Sequence, residues 1–184
     1  MNNKNAQKLS PEYLLKQFAG ARSSLLIVLI FTVVNLAMLL LDSGTYFLFS
    51  ASVPYYLTAF GMGMDIGLGA DSIGTFTLVA LGISAVVVAF YLLCWLLSKK
   101  RPGWLVAALV AFILDTVALV LVCLAFDALA ESVMDFVFHG WVIISLIQGI
   151  SANGKLKKLP AEAFAPEAEE PAAAPVDPWD RPEA

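Results

Sequence analysis

Four long apolar runs without basic residues dominate the chain, at about 23–41, 75–97, 104–126 and 133–152. About 20 helical residues cross a hydrocarbon core of about 30 Å, so each run is long enough to span a membrane. The runs are apolar on every face, whereas the strands of membrane barrels alternate over about ten residues. Backbone groups must bond to each other inside lipid, which favours helices. The pattern therefore predicts an all-α integral membrane protein with four transmembrane helices.

The composition supports this prediction and argues against several soluble classes. Of the 184 residues, 60% are hydrophobic and 14% are charged, against about 45–50% and about 25% in a typical soluble domain. A soluble enzyme, a disordered protein and a nucleic-acid binder with a basic face do not fit these values. We expect the lipid bilayer as the main partner, with a membrane-protein partner or a homo-oligomer in addition, and no nucleic acid.

The basic residues predict the orientation of the spans. Ten of the eleven cluster before the first run, in the SKKRPG turn between the second and third runs, and in GKLKK after the fourth run, and Arg181 lies in the tail. The connections after the first and third runs contain no Lys or Arg. Because Lys and Arg are retained on the cytoplasmic side, we expect both termini in the cytoplasm and the bundle in the inner membrane.

The N-terminal segment, residues 1–22, is predicted to be cytoplasmic and to contain a short amphipathic helix at 10–20. Ser10 can cap this helix, Pro11 suits its first position, and Glu12 suits its positive end. A helix on the membrane surface that leads into the first span is favoured. A helix that docks a partner is the alternative.

The C-terminal segment, residues 153–184, begins with a basic anchor and continues as a tail rich in Pro, Ala and Glu. Such a tail has too little apolar area to form a core. We expect it to be disordered.

The stretch between the first and second spans, residues 43–74, is rich in aromatic residues in its first half and in glycine in its second. Aromatic side chains collect at the membrane–water interface, so we expect an interfacial segment that caps the outer face, with Pro54 interrupting any helix. A re-entrant lid over a substrate path is the alternative, because short apolar stretches often re-enter. The interfacial aromatics are Tyr46, Phe47, Phe49, Tyr55, Tyr56 and Phe60.

Ionisable residues also occur inside the predicted spans. Asp115 lies at the centre of the third span and His139 in the fourth, with Asp135 four residues earlier on the same helix face. The two spans are antiparallel neighbours, and at 1.5 Å per residue Asp115 and His139 differ in depth by about 5 Å. We therefore expect a buried polar pair of Asp115 and His139, with Asp135 and Asn35 as further contributors.

Two hypotheses account for this pair. Polar residues hold transmembrane helices together, typically for about 0.6–2 kcal/mol each, and this structural role is favoured. An intramembrane ionisable residue is also a functional hypothesis by default, and a proton relay or cation site is the alternative. Under the structural role, Asp115→Asn should fold nearly normally, because Asn keeps the size and the hydrogen bonding.

No motif for catalysis or cofactor binding is present. The chain lacks GxSxG, and the GMG at 61–63 is not followed by the GK[ST] of a phosphate-binding loop. Cys94 and Cys123 lie near opposite ends of antiparallel spans and should stay free thiols. Two carboxylates and one His at this spacing match no metal-ligand signature. We expect no enzymatic activity, no cofactor and no metal.

Three segments resemble a group of uncharacterised small four-span bacterial membrane proteins. They are GTYFLFSASVPYYLTAFG, FYLLCWLLSKKRPGWLVAALVAFILDT and FHGWVIISLIQGISANGKLKKLP, and the resemblance covers residues 14–160. It implies the four-span architecture and a bacterial inner membrane, and it carries no activity. The leading hypothesis is a non-enzymatic scaffold or accessory subunit. The alternative is a small transporter, or a proton- or cation-coupled component, that uses Asp115 and His139.

Overall fold

A computed structural model describes residues 10–70, 73–160 and 163. Within these residues the fold is all-helical, with five helices and no strand. Four of them, α1, α3, α4 and α5, are long and apolar enough to cross a membrane. This confirms the predicted fold class of a multipass membrane protein. The helices are α1 (Pro11–Leu40), α2 (Ser52–Gly67), α3 (Thr75–Ser98), α4 (Gly103–Ala125) and α5 (Val133–Leu156).

The first helix differs from the expected short helix followed by a span, because α1 is continuous. Ser10 caps it as predicted: its hydroxyl accepts the Tyr13 N–H at 3.3 Å, with Pro11 in the first turn. Where the predicted short helix meets the apolar run, Gly20 is the residue that disfavours a helix, by about 1 kcal/mol. This penalty is too small to end α1. Leu14 is fully buried, so this turn is part of the bundle.

The bundle is built from two close helix pairs, α1 with α5 and α2 with α3. A Cβ added to Gly149 of α5 would overlap the Ala21 methyl of α1. On the same face, the Ser24 and Ser145 hydroxyls hydrogen-bond at 2.9 Å. Small residues let transmembrane backbones approach, and hydroxyls then bond across the interface. The fully buried core side chains include Leu25, Val28, Leu105, Phe112, Val142 and Leu146.

Gly61 sets the contact between α2 and α3. A Cβ at Gly61 would lie 2.8 Å from the Phe76 carbonyl oxygen and 2.9 Å from the Ala80 Cβ. Beside it, the Thr58 and Ser84 hydroxyls meet at 3.1 Å. This second pair therefore uses the same combination of a small residue and paired hydroxyls.

One end of the bundle, the basic end, contains the Lys and Arg residues that the structure describes. Arg22 joins two helices there: its Nε donates to the Ser98 Oγ at 3.0 Å and its Nη2 to the Trp95 carbonyl at 3.2 Å. Its guanidinium also lies 5.7 Å from the Trp95 ring centre. A cation at a helix C-terminus complements the helix dipole, so Arg22 stabilises the end of α3. The predicted disordered tail beyond residue 160 lies outside the described residues, apart from 163.

Candidate functional site

The segment after α1 turns back into the bundle instead of staying at its end. The Asn35 side chain of α1 hydrogen-bonds to the backbone of this segment as a neighbouring β-strand would. Its Nδ2 donates to the Phe47 carbonyl at 2.7 Å and to the Ser50 Oγ at 2.8 Å, and its Oδ1 accepts the Phe47 N–H at 2.8 Å. Asn35 therefore anchors the extended segment and does not join Asp115 and His139.

Thr32 continues this anchoring one turn deeper. Its hydroxyl accepts the Ala51 N–H at 2.8 Å and donates to the Val28 carbonyl at 2.7 Å. Thr32 lies eight residues before the last residue of α1, which is about 12 Å along the helix. Helix α2 therefore begins inside the bundle and runs back out beside α3. The re-entrant alternative shares this course into the bundle, but its lid over a substrate path stays a prediction.

Asp115 meets the start of α2. Its Oδ2 accepts the Ser52 N–H and its Oδ1 the Val53 N–H, both at 2.8 Å. The first N–H groups of a helix have no partner within it, and a negative charge complements the helix dipole there. Asp115 lies near the middle of α4 and is only 4% exposed. A buried carboxylate thus caps a buried helix start.

Pro54 lies in the first turn of α2, which corrects the expectation that it interrupts any helix there. Proline lacks an N–H and is tolerated in a first turn, where that N–H would have no helical partner. Its presence leaves the N–H groups of Ser52 and Val53 as the ones that need an outside acceptor. Asp115 supplies both.

His139 completes the centre. Its Nε2 lies 3.3 Å from both the Asp115 Oδ2 and the Ser52 Oγ, and its Nδ1 lies 2.8 Å from the Asp135 carbonyl oxygen. A carbonyl only accepts, so Nδ1 carries a hydrogen. Nε2 then accepts from the Ser52 hydroxyl when the ring is neutral and can donate to Asp115 when it is charged. The ring stacks on Phe112, with centroids 4.8 Å apart.

The structure thus brings Asp115 and His139 together, and it gives the other predicted contributors different positions. Asp135 binds His139 through its backbone carbonyl, and its half-buried carboxylate makes no hydrogen bond within the described residues. Ser52 is a site residue that sequence reasoning missed. The signal that could have found it is Pro54, since proline is tolerated in the first turn of a helix and Ser52 is two residues before it.

The aromatic residues surround the point where the chain reverses. Phe49 has a φ of 66°, which is strained for a bulky residue. Its ring is held by Phe138, with centroids 3.7 Å apart, and by Trp141 at 5.7 Å. These aromatic contacts therefore hold the Phe49 backbone in its strained conformation. Of the other predicted aromatics, Tyr46, Tyr55 and Tyr56 are partly buried, and Phe47 and Phe60 are exposed.

A second carboxylate, Asp65, caps α3 in the same manner. It accepts the Thr77 hydroxyl at 2.6 Å, the Thr77 N–H at 2.7 Å, and the Gly74 and Phe76 N–H groups at 3.1 Å each. Burial alone would raise the pKa of Asp65, but these hydrogen bonds, led by the Thr77 hydroxyl, outweigh it and hold the pKa below its usual value. Asp65 joins the outer end of α2 to the start of α3. This role of Asp65 was not predicted from the sequence.

Two apolar cavities flank α2. One, of about 490 Å³, lies between α2 and α4 and includes Tyr56, Phe60 and Ala118. The other, of about 400 Å³, lies beside the start of α2, with Tyr91 and Asp115 in its wall. Across the residues that the structure describes, no group of three His, Cys, Asp or Glu side chains could hold a metal ion. Cys94 and Cys123 are both buried free thiols.

No family model, no curated protein and no solved structure matches this chain. The fold and this site define its class as a multipass helical membrane protein with a helix that starts inside the bundle.

Proposed function

We propose that this protein is a non-enzymatic scaffold or accessory subunit of a membrane assembly, and that Asp115 and His139 hold α2 inside its bundle. The observation that carries the proposal is the use of the Asp115 oxygens. Both accept backbone N–H groups of α2 at 2.8 Å, so the carboxylate is engaged by the chain's own fold. A satisfied polar group of this kind fixes one arrangement of helices.

The setting of this role is a bacterial inner membrane with both termini in the cytoplasm, as we further propose. The charge distribution supports it: Lys and Arg gather at one end of the bundle, and retention of these residues on the cytoplasmic side is general. The resemblance to small four-span bacterial membrane proteins agrees with this placement.

A proton- or cation-coupled component is the second candidate, and one observation favours it. The His139 Nε2 lies equally far, 3.3 Å, from the Ser52 hydroxyl and the Asp115 carboxylate. Gain or loss of one proton would therefore exchange one hydrogen bond for another without moving a helix. A proton- or cation-coupled component needs a side chain that exchanges protons, and histidine commonly has this role.

Reconstitution into proteoliposomes separates the two candidates. The wild-type protein and the His139→Phe variant are compared for the collapse of an imposed pH gradient, read by an enclosed pH-sensitive dye. Phe keeps a ring on Phe112 and removes the titratable nitrogens. As an accessory subunit, the wild type should hold the gradient as well as protein-free vesicles. A faster collapse that His139→Phe abolishes would establish the coupled component instead.

Affinity purification from native membrane tests the accessory role directly. A stoichiometric second protein in the mass spectrum is the expected result. A preparation that contains this chain alone, at every detergent concentration that keeps the bundle folded, would contradict an accessory role.

A further inference from the structure

The cavity of about 400 Å³ beside the start of α2 is almost entirely apolar, and Tyr91 and Asp115 are the polar residues in its lining. Its walls come from Val53 of α2, Val86 and Phe90 of α3, and Leu114 of α4. Val86 and Leu114 are 69% and 64% exposed, so the cavity opens toward the surface that faces lipid in a membrane-spanning bundle. Its volume lies within the range of about 300–1,000 Å³ of small-molecule sites.

One of these two lining residues, Tyr91, has a hydroxyl without a hydrogen-bond partner among the described residues. Tyr91 is only 2% exposed and lines the cavity, yet its hydroxyl makes no hydrogen bond to any described residue. Every fully buried side-chain nitrogen and oxygen in the described chain has a partner, so the unpartnered Tyr91 oxygen keeps some exposed surface on a residue that lines the cavity. Buried Tyr hydroxyls usually find a partner. A ligand atom in the cavity would supply it.

The neighbouring Asp115 restricts what that ligand atom can be. The carboxylate already accepts two N–H groups and lies 3.3 Å from His139. It therefore has little remaining capacity to accept a hydrogen bond from a ligand. An anionic ligand would be repelled by it, which argues against a fatty-acid carboxylate. The remaining need is an uncharged oxygen that accepts the Tyr91 O–H.

Depth in the bundle restricts the ligand further. Tyr91 lies seven residues from the end of α3, about 10 Å along the helix, and Asp115 lies ten or more residues from either end of α4, at least about 15 Å. Phospholipid ester carbonyls belong to the interfacial layer outside the hydrocarbon core. An acceptor oxygen at this depth belongs to a molecule that carries its polar group within the hydrocarbon.

We propose that this cavity binds a lipid-soluble quinone, with a ring carbonyl accepting the Tyr91 hydroxyl and the ring lying between Phe90 and the valines. A quinone is uncharged, its ring suits an apolar pocket, and its carbonyl is the missing acceptor. The tail leaves through the opening between Val86 and Leu114. Quinone binding goes beyond the accessory role proposed above, although the cavity shares Val53 and Asp115 with the site that holds α2.

The test is a titration of the detergent-solubilised full chain with a decyl-substituted benzoquinone, followed by the rise in melting temperature. Decylbenzene, which has a six-membered carbon ring of similar size and the same tail without oxygens, is the control ligand. Tyr91→Phe removes one oxygen that bonds to no described residue, so the fold should stay intact. Tyr55→Phe is the matched control, because Tyr55 lies in α2 and outside this cavity.

We expect saturable binding of the quinone, with an affinity about three- to tenfold lower for Tyr91→Phe, the loss of one neutral hydrogen bond. Ala111→Trp, which fills this cavity, should abolish binding. Ala118→Trp, which fills the larger cavity, should leave binding unchanged. The proposal is overturned by equal binding of decylbenzene, by an unchanged affinity of Tyr91→Phe, by loss of binding in Ala118→Trp, or by no saturable binding.

Discussion

At the scale of single residues, the geometry of Asp115 changes what a conservative substitution should do. Each of its oxygens accepts one N–H from the start of α2. Asparagine has one acceptor oxygen, so its NH₂ group would face an N–H donor. The sequence-based expectation that Asp115→Asn folds nearly normally under a structural role therefore no longer follows.

We predict that Asp115→Asn lowers the free energy of unfolding by about 1–3 kcal/mol, the usual cost of an unsatisfied buried polar group. Unfolding of the purified protein in detergent measures it. Asp135→Asn is the control, because that carboxylate makes no hydrogen bond to a described residue, and it should change stability little. Equal stability of the wild type and Asp115→Asn would show that α2 does not depend on this carboxylate.

The residues of this site differ in whether they can be predicted from the sequence. Asp115 and His139 were predictable partners because charged groups are rare inside spans and helix geometry fixes their depth. The Ser52 and Val53 N–H groups were not, because every non-proline residue carries the same N–H. Their need for an acceptor arises only once a helix is known to begin there.

At the scale of helices, Asp65 links the outer end of α2 to the start of α3. Although burial acts to raise it, the hydrogen bonds from Thr77, Phe76 and Gly74 hold the folded-state pKa of Asp65 below its usual value. A carboxylate with a lowered pKa stabilises the fold fully above its unfolded pKa of about 3.9, and this contribution is lost as the pH falls through the folded pKa.

We therefore predict that Asp65→Asn melts at a lower temperature than the wild type at pH 7, and that the difference shrinks as the pH falls below about 4. Melting curves in detergent between pH 7 and pH 3 measure it. Asp127→Asn, at an exposed position after α4, should show no such convergence. A difference that persists unchanged at pH 3 would rule out the charge as the source of the stabilisation.

The α1–α5 contact gives a second prediction at this scale. Gly149→Ala should destabilise the bundle by about 1–3 kcal/mol, as overpacking does, because the added methyl overlaps that of Ala21. Gly140→Ala, on the same helix with open space around it, should be neutral or stabilising by up to about 1 kcal/mol. Unfolding in detergent compares the pair. Equal effects of the two substitutions would mean that α1 and α5 are not in close contact.

Helix ends were predictable where a breaker marks them. The ends of α3 and α4 at the KKRPG turn fall within one residue of the predicted spans, because proline and glycine mark a turn. Helix α1 begins twelve residues earlier than the predicted span, since nothing between Pro11 and Ser23 stops a helix. Helix α2 was not predicted because a proline can either interrupt a helix or lie in its first turn. Only the start of the helix directly after Ala51 decides between these two roles.

At the scale of the whole molecule, hydropathy and charge are sums along the chain, so the number of spans and the basic end follow from sequence alone. The course of residues 43–51 into the bundle cannot be obtained from such sums. It depends on Asn35 and Thr32 presenting polar groups at the depths where Phe47 and Ala51 pass. Such matching between distant segments has no periodic signature.

The orientation of the bundle in the membrane is the last prediction. In a background with Cys94 and Cys123 replaced by alanine, Ser43→Cys should react with an impermeant maleimide added to intact cells. Lys100→Cys should react only after permeabilisation. Both positions are exposed at opposite ends of the bundle, whereas Ser98 in the same turn is buried and bonded to Arg22 and would report burial instead of sidedness.

The physical reason for this pattern is the retention of Lys and Arg in the cytoplasm. Lys99, Lys100 and Arg101 fill the turn between α3 and α4, and Ser43 lies in a connection without a basic residue. Mass spectrometry of the labelled peptides gives the fraction modified at each position. Labelling of Lys100→Cys from outside, with Ser43→Cys protected, would place the basic end outside and contradict the proposed orientation.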